Sequence, residues 1–242
     1  MGRRQWGDEG PGDGAARRAA SGWAVLLAGC LAVGLGIPAW SRTRAAARYP
    51  VAAQDVADAA AALGSLPVQP LASDAGYDRA RFGTAWADVD RNGCDTRNDV
   101  LRRDLVAVTV DPTTHGCVVL DGTLDDPYTG ATIAFVRGPG SADVQIDHVV
   151  ALDAAWRTGA QQWTAARREA FANDPANLLA VDGPANQDKG AADAAGWLPP
   201  DPGYRCVYAL RQVRVKAAYG LWVTRAERDA LRDAVDGCVV TR

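Results

Sequence analysis

The sequence predicts an α+β domain that follows an N-terminal export segment, and three observations lead to this prediction. Short apolar runs of strand length alternate with longer runs of helical periodicity from residue 77 to residue 240, with Gly and Pro between them. An uncharged apolar run extends from Trp23 to Trp40, after a segment rich in Arg, Gly and Ala. Four of the five cysteines lie beyond that run, as expected for an exported chain.

These patterns divide the chain into four segments. Residues 1–22 have the composition of a disordered cytoplasmic N-terminus. Residues 23–40 are expected to be a signal peptide or a transmembrane anchor, because 18 apolar residues are few for a bilayer span and many for a signal core. Residues 41–70 are expected to form a linker with one short helix around 52–63, and residues 71–242 to form the folded domain.

The N-terminal segment predicts where the domain resides. Four arginines, at positions 3, 4, 17 and 18, precede the apolar run and favour a cytoplasmic N-terminus. The domain is therefore expected to be secreted, or to be extracellular and held at the membrane by an uncleaved segment. A small-residue stretch at 45–47 and a lipobox-like stretch at 27–30 leave cleavage and lipidation as alternatives.

The charge of the domain limits its mode of binding. Residues 48–242 contain 20 basic and 26 acidic side chains, a net charge of −6. An acidic body argues against a protein that coats nucleic acid by bulk charge. Any phosphate binding must therefore be local, through a metal ion or a small basic cluster.

The cysteines predict two disulfides. Cys30 lies in the apolar N-terminal run, and the other four contain no C-x-x-C pair, which argues against a zinc knuckle. Four cysteines allow three pairings. Cys94–Cys117 and Cys206–Cys238 are favoured because each pair is nearest in sequence, and buried reduced thiols are the alternative.

Local patterns predict the order of elements in the domain. Helices are expected at 96–105, at 153–171 with a break at Gly159, from Pro184 onward, at 204–219 and at 225–235. Strands are expected at 105–110, 117–120, 131–136, 144–152 and 177–181. Thr224 and Glu227 have the spacing of a capping box at the start of the last helix.

One stretch carries residues with chemistry at informative spacing. Asp147 and His148 end an apolar run, Asn177 opens a second run, and Asn186 and Lys189 lie on the short helix that follows. The order of strand, long excursion, strand and helix resembles the HNH, or ββα-metal, endonucleases. The closest resemblance is to an exported branch typified by the C-terminal domain of GmrSD-type restriction enzymes.

The resemblance extends over most of residues 77–240. It implies an α+β fold in which a ββα-metal core carries additional strands and helices. The stretches that carry it, besides the residues just named, are Val149–Leu152, Ala155–Trp156, Gly159–Ala160, Trp163, Phe171–Pro175, Leu178–Leu179, Gly190, Asn92–Arg97, Asp126–Gly130 and Trp197–Pro200.

The resemblance also implies a mechanism. His148 would be the general base that takes a proton from water, because a neutral imidazole can do so near pH 7. Asp147 and Asn186 would hold a divalent ion through hard oxygen atoms, which suit Mg²⁺ or Mn²⁺. Asn186 stands where the family's name letter is His, and a carboxamide oxygen is the weaker ligand. Asn177 would tie the loop that orients His148.

Two basic residues are candidate phosphate contacts. Lys189 lies three residues after Asn186, on the same helical face. Arg97 belongs to a stretch that carries the resemblance, and a structural salt bridge is the alternative for its side chain.

Adjacent residues of a strand point to opposite faces. Asp147 and His148 can reach one phosphate only if the strand bends or ends there. The sequence therefore predicts a backbone irregularity between Ile146 and Val149.

The predicted function is a metal-dependent endonuclease that cuts DNA, with RNA as an alternative substrate. Low sequence specificity is expected because the chain shows no separate sequence-reading module. Two further hypotheses remain: a catalytically inactive HNH-like surface binding module, and a secreted antibacterial nuclease toxin. The sequence implies no protein partner, and a membrane only through an uncleaved N-terminal segment.

Overall fold

The computed structural model describes Gly2 and residues 48–240, which form a mixed α+β fold. The helices of this part are α1 Ala53–Ser65, α2 Thr96–Asp104, α3 Leu152–Arg157, α4 Ala165–Ala172, α5 Gly183–Lys189, α6 Arg205–Tyr219 and α7 Arg225–Asp236. The strands are β1 Leu105–Val110, β2 Val119–Asp125, β3 Thr132–Val136, β4 Val144–His148 and β5 Leu178–Asp182. Short 3-10 helices lie at Arg79–Phe82, Pro112–Thr114, Pro139–Ala142 and Ala160–Gln162. The α+β class predicted from the sequence is confirmed.

The first sheet is the antiparallel meander β1–β2–β3. Strand β2 reaches Asp125, whereas the sequence predicted it to end at Leu120. Asp121 and Gly122 have low strand propensity, but β2 is paired on both edges, and this tertiary pairing outweighs local propensity.

The second sheet is the antiparallel pair β4–β5, with a regular register from Val144 opposite Asp182 to His148 opposite Leu178. The predicted strand through Leu152 was wrong beyond His148, since the chain bends there and α3 begins at Leu152. Helix α5 follows β5 without a loop. Its N-cap is Asp182, whose side chain accepts a hydrogen bond from the Ala185 amide at 2.8 Å.

The predicted helix at 153–171 is two helices. Gly159 has a φ of +136°, which only glycine adopts readily, and it separates α3 from the following 3-10 turn. Thr164 then caps α4 by accepting a hydrogen bond from the Arg167 amide. The break predicted at Gly159 is confirmed.

Helix α1 belongs to the folded body. Its Ala59 and Leu63 are buried with Val213 of α6 and Leu231 of α7 in one apolar cluster. The described residues 48–240 lie in a single compact unit spanning Ala45–Arg242. The domain therefore starts before residue 71, because the apolar face of α1 makes it part of the core instead of a linker.

Both predicted disulfides, Cys94–Cys117 and Cys206–Cys238, are present. The expectations for residues 1–22, for the signal or anchor at 23–40 and for residues 41–47 lie outside the described part of the chain, apart from Gly2. Within the described residues, none of the helices combines the length and apolar character that a membrane crossing requires.

Candidate active site

A cleft of about 560 Å³ extends along β4, and all five residues of this strand line it. Four predicted site residues line it: Asp147 and His148 from β4, Asn186 from α5 and Arg97 from α2. The antiparallel pair β4–β5 and the helix that directly follows β5 therefore bring residues 147, 148 and 186 to the same cleft, although 37 residues lie between His148 and Asn186 in the sequence.

His148 is almost completely buried, with 7% of its surface exposed. Its Nε2 lies 2.8 Å from the Ala172 carbonyl oxygen. A carbonyl only accepts hydrogen bonds, so Nε2 carries the proton and Nδ1 keeps its lone pair. Burial lowers the pKa of His148 to about 4, against a weaker opposing effect of the Ala172 bond. The imidazole is therefore neutral at pH 7.

Asp147 lies in a buried polar network on the other side of β4. Its Oδ1 accepts a hydrogen bond from Lys189 Nζ at 2.9 Å, and its Oδ2 accepts one from the Tyr128 hydroxyl at 2.5 Å. Burial raises the pKa of Asp147, while the ammonium of Lys189 and the bond from Tyr128 act in the opposite direction. Each carboxylate oxygen still has a lone pair beyond these bonds.

Lys189 does not reach the cleft, so the predicted phosphate contact was wrong. Its side chain has no exposed surface, and Nζ donates to Asp147 and, at 2.9 Å, to the His148 carbonyl. A buried ammonium needs a charged partner, and Asp147 supplies one. Lys189 therefore hydrogen-bonds to both neighbouring residues of β4, Asp147 and His148.

Asn177 fixes the bend after His148. Its Oδ1 accepts a hydrogen bond from the Val150 amide at 2.8 Å, and its Nδ2 donates to the Val150 carbonyl at 3.2 Å. The Asn177 carbonyl also accepts from the Val149 amide at 2.8 Å. This fully buried side chain thus replaces the ladder bonds that β5 no longer supplies.

Asn186 offers an oxygen to the cleft. Its Nδ2 donates to Gln145 Oε1 at 2.9 Å, while Gln145 Nε2 donates to the Ala142 carbonyl at 3.2 Å. Within the described residues the Asn186 carboxamide oxygen accepts no hydrogen bond. That oxygen and the Asp147 carboxylate are the two hard donors of this wall.

Arg97 supplies positive charge at the cleft. It lies in the first turn of α2, and its Nη1 is buried without a hydrogen-bond partner in the described part of the chain. Burial lowers the pKa of Arg97, and nearby Arg137 adds to this effect. The alternative of a structural salt bridge does not apply, since none of the ion pairs among the described residues includes Arg97.

The irregularity expected between Ile146 and Val149 is the end of the strand. Pairing with β5 is regular up to His148, and the bend begins at Val149. Asp147 and His148 do point to different surroundings, as strand alternation requires. Both still line the cleft, which extends along the whole of β4 and past its end to Ala151.

The family comparison includes Asp147, His148 and Asn186. The family described as GmrSD restriction endonucleases, C-terminal domain, matches residues 95–234, more than half of the chain. The chain belongs to this family. A protein of Arthroderma benhamiae that bears the name "Uncharacterized secreted protein" is 40% identical over 178 residues, which cover 73% of this chain and 82% of that protein. No solved structure matches the chain significantly.

The GmrSD C-terminal match includes β4, β5 and α5, but it begins after three residues of the cleft, Tyr77, Arg79 and Trp86. Trp86 and Arg79 line the cleft from the preceding segment, and the Trp86 ring is stacked on His148. Sequence reasoning missed both, together with Tyr128 and Gln145. The one sequence signal available for these four residues was the Asp126–Gly130 stretch, which contains Tyr128 and carries part of the resemblance.

The donor set of the GmrSD C-terminal site suits a hard, hydrated cation. Among the described residues, no group of three or more His, Cys, Asp and Glu side chains is placed to hold a metal ion. Zinc sites need three or four such ligands. Mg²⁺ keeps several waters and takes one or two carboxylate oxygens plus phosphate oxygens. Asp147 and Asn186 fit that second pattern.

Proposed function

We propose that the protein is a metal-dependent endonuclease that hydrolyses phosphodiester bonds in DNA. The single observation that carries this proposal is the neutral imidazole of His148, with one nitrogen committed to Ala172, in a cleft that also holds the oxygens of Asp147 and Asn186. Membership of a family named for restriction endonucleases supports nuclease chemistry. In this proposal β4, β5 and α5 are the ββα-metal core of the HNH fold.

His148 acts as the general base. Its free Nδ1 accepts the proton of the attacking water, and the bond from Nε2 to Ala172 keeps the ring in the tautomer that this step requires. Asn177 is a positioning residue, because it fixes the peptide that follows His148. Lys189 holds the His148 carbonyl from the other side.

Asp147 and Asn186 would hold the divalent ion, Mg²⁺ or Mn²⁺. When bound, such an ion stabilises negative charge on the phosphate and on the leaving oxygen. Lys189 and Tyr128 fix the position of the Asp147 carboxylate by donating to its two oxygens. Gln145 orients the Asn186 carboxamide by accepting from its nitrogen.

Arg97 is the phosphate contact of the proposal. Arg97 lines the cleft and forms no ion pair within the described residues, so its guanidinium is the candidate donor to a phosphate oxygen, and such charge-assisted bonds are among the stronger ones in proteins. The acidic net charge of residues 48–242 makes a local contact of this kind necessary. We infer low sequence specificity, since phosphate contacts carry no base information.

Export is also proposed. The secreted name of the Arthroderma benhamiae relative and the two disulfides support a protein that acts in an oxidising compartment. The expected export segment at 23–40 agrees with both.

Nicking of supercoiled plasmid tests the function. We expect conversion to open-circular DNA with Mg²⁺ or Mn²⁺, none with EDTA, and loss of activity in His148→Ala. His115→Ala is the matched control, because His115 is the other histidine of the chain and lies exposed in a turn. DNA binding without metal-dependent nicking would favour the inactive binding module instead.

A further inference from the structure

Trp86 has a backbone conformation that its side chain disfavours. Its φ is +61°, in the left-handed region, where bulky residues are rare. Three other described residues besides glycines share a positive φ, namely Arg91, Ala107 and His115, and none of these three lines the cleft. Such strain persists only where the surrounding structure holds it.

Hydrogen bonds hold the Trp86 loop from two sides. On one side the Thr96 amide donates to the Trp86 carbonyl at 3.2 Å, and the Thr96 hydroxyl donates to the Ala87 carbonyl. On the other side Asn173 Nδ2 donates to the Thr84 carbonyl at 3.1 Å, and the Thr84 amide donates to Glu169 at 3.0 Å. The loop is thus fixed both to the start of α2 and to the end of α4.

The fixed loop places the indole on His148. The two rings are stacked, with centroids 6.2 Å apart and planes 16° from parallel. The indole also packs against the apolar cluster that contains Val100 and Ile146. One part of the Trp86 indole therefore packs against the core, and another part is stacked on the imidazole.

The hydrogen bond to Ala172 alone does not fix the imidazole plane. It fixes the position of Nε2, but the ring can still tilt about that bond. A flat side chain stacked at a small angle removes this freedom. We propose that Trp86 is a positioning residue that sets the plane of His148, so that Nδ1 faces the cleft; this inference rests on the proposed function of His148 as the base.

The test compares Trp86→Leu with Trp86→Phe in the full-length protein, with Trp163→Leu as the matched control. Trp163 also packs against aromatic rings, those of Phe171 and Tyr219, but it does not line the cleft. Because misplacement of a reacting group by about 1 Å can cost about 100-fold, we expect Trp86→Leu to lower kcat about tenfold or more with KM within about twofold. Trp86→Phe keeps a stacking ring and recovers most of kcat, and Trp163→Leu leaves it unchanged.

A second readout does not require nuclease activity. The chain has two histidines, so ¹⁵N spectra of the ring nitrogens at pH 7 resolve His148 once His115→Gln identifies the other. We expect the wild type and Trp86→Phe to show a single tautomer protonated at Nε2. In Trp86→Leu the Ala172 bond still holds this tautomer, but the ¹⁵N relaxation of the His148 ring nitrogens should show increased motion of the ring.

Two results would overturn the inference. A Trp86→Leu protein with wild-type kcat and raised KM would make Trp86 a DNA contact, and unchanged motion of the His148 ring in Trp86→Leu would show that Ala172 alone fixes the ring. If the wild type cut no nucleic acid with any divalent metal, the proposed function would fail, and the relaxation measurement would still decide whether Trp86 sets the imidazole plane.

Discussion

The two faces of β4 at its C-terminal end provide opposite environments for two neighbouring residues. On the Asp147 side, Lys189 and Tyr128 surround a buried carboxylate with donors. On the His148 side, an indole and one carbonyl surround the ring, and no acidic side chain forms an ion pair with it in the described part of the chain. Burial is nearly equal, at 5% and 7% exposure.

This difference in environment explains how one strand can supply both the proposed oxygen ligand and the proposed base. An opposite charge favours the ionised form of a buried acid, whereas burial without a counter-charge favours the neutral form of an imidazole. Strand alternation separates the two environments, although the residues are adjacent. The first predictions below each remove an interaction on one of the two sides.

The largest expected effect comes from Lys189→Met. It leaves Asp147 buried without its cation, and breaking a buried pair in this way costs about 3–5 kcal/mol of the free energy of unfolding. Urea denaturation measures this loss. The double variant Lys189→Met with Asp147→Asn should recover part of it, because the orphaned charge is gone. A single variant with wild-type stability would contradict the pairing.

The His148 side predicts a pH dependence of stability. The folded pKa of about 4 lies below the ordinary 6.5, so the unfolded chain binds the proton more tightly. The free energy of unfolding is therefore highest above pH 6.5 and falls as the pH drops toward 4, by about 3 kcal/mol from this residue alone.

Denaturation midpoints at pH 7 and pH 4.5 check that sign. His148→Asn should lose much less stability between these two pH values than the wild type does. His115→Asn, at the exposed turn, should behave as the wild type. Equal pH dependence in all three proteins would refute the burial argument.

Tyr128→Phe tests the Asp147 side with a smaller expected loss in the free energy of unfolding. It removes the hydroxyl that donates to Oδ2, and a lost bond to a buried charged group costs about 1–3 kcal/mol. Tyr49→Phe is the control, since the Tyr49 hydroxyl is buried without a hydrogen-bond partner among the described residues. Its removal should leave the unfolding free energy unchanged or raise it. The reverse order of the two variants would contradict the network.

The smallest effect on stability is expected from Arg97→Gln, which belongs to neither side of β4. Its Nη1 has no partner to lose in the described structure, so the unfolding free energy should change by less than about 1 kcal/mol. Loss of a phosphate contact should instead raise KM for DNA several-fold, because charge-assisted bonds to phosphate contribute to substrate binding. A lower kcat with unchanged KM would mean that Arg97 does not act through substrate binding.

Features set by local sequence were predictable. Asn177 and Asn186 were singled out by the resemblance to HNH endonucleases, and the nearest-neighbour rule paired the cysteines correctly. The break at Gly159 followed from a residue with its own conformational preference. None of these predictions required knowledge of how distant helices and strands pack together.

Features set by tertiary contacts were not predictable. Lys189 was expected at the surface on helical spacing alone, but Asp147, 42 residues earlier, draws its ammonium inward. Trp86 lies outside the stretch around Asp147 and His148, and nothing in its local sequence indicates a ring stacked on an imidazole. Likewise α1 was assigned to a linker because its partners α6 and α7 follow it by more than 130 residues.

Chemical rescue tests the central claim, that the His148 imidazole is the base, most directly. His148→Gly should nick plasmid DNA at a small fraction of the wild-type rate with Mg²⁺, and added imidazole should restore nicking in proportion to its concentration. Imidazole should have no such effect on the wild type or on His115→Gly. A His148→Gly protein that nicks DNA at the wild-type rate without imidazole would contradict the account.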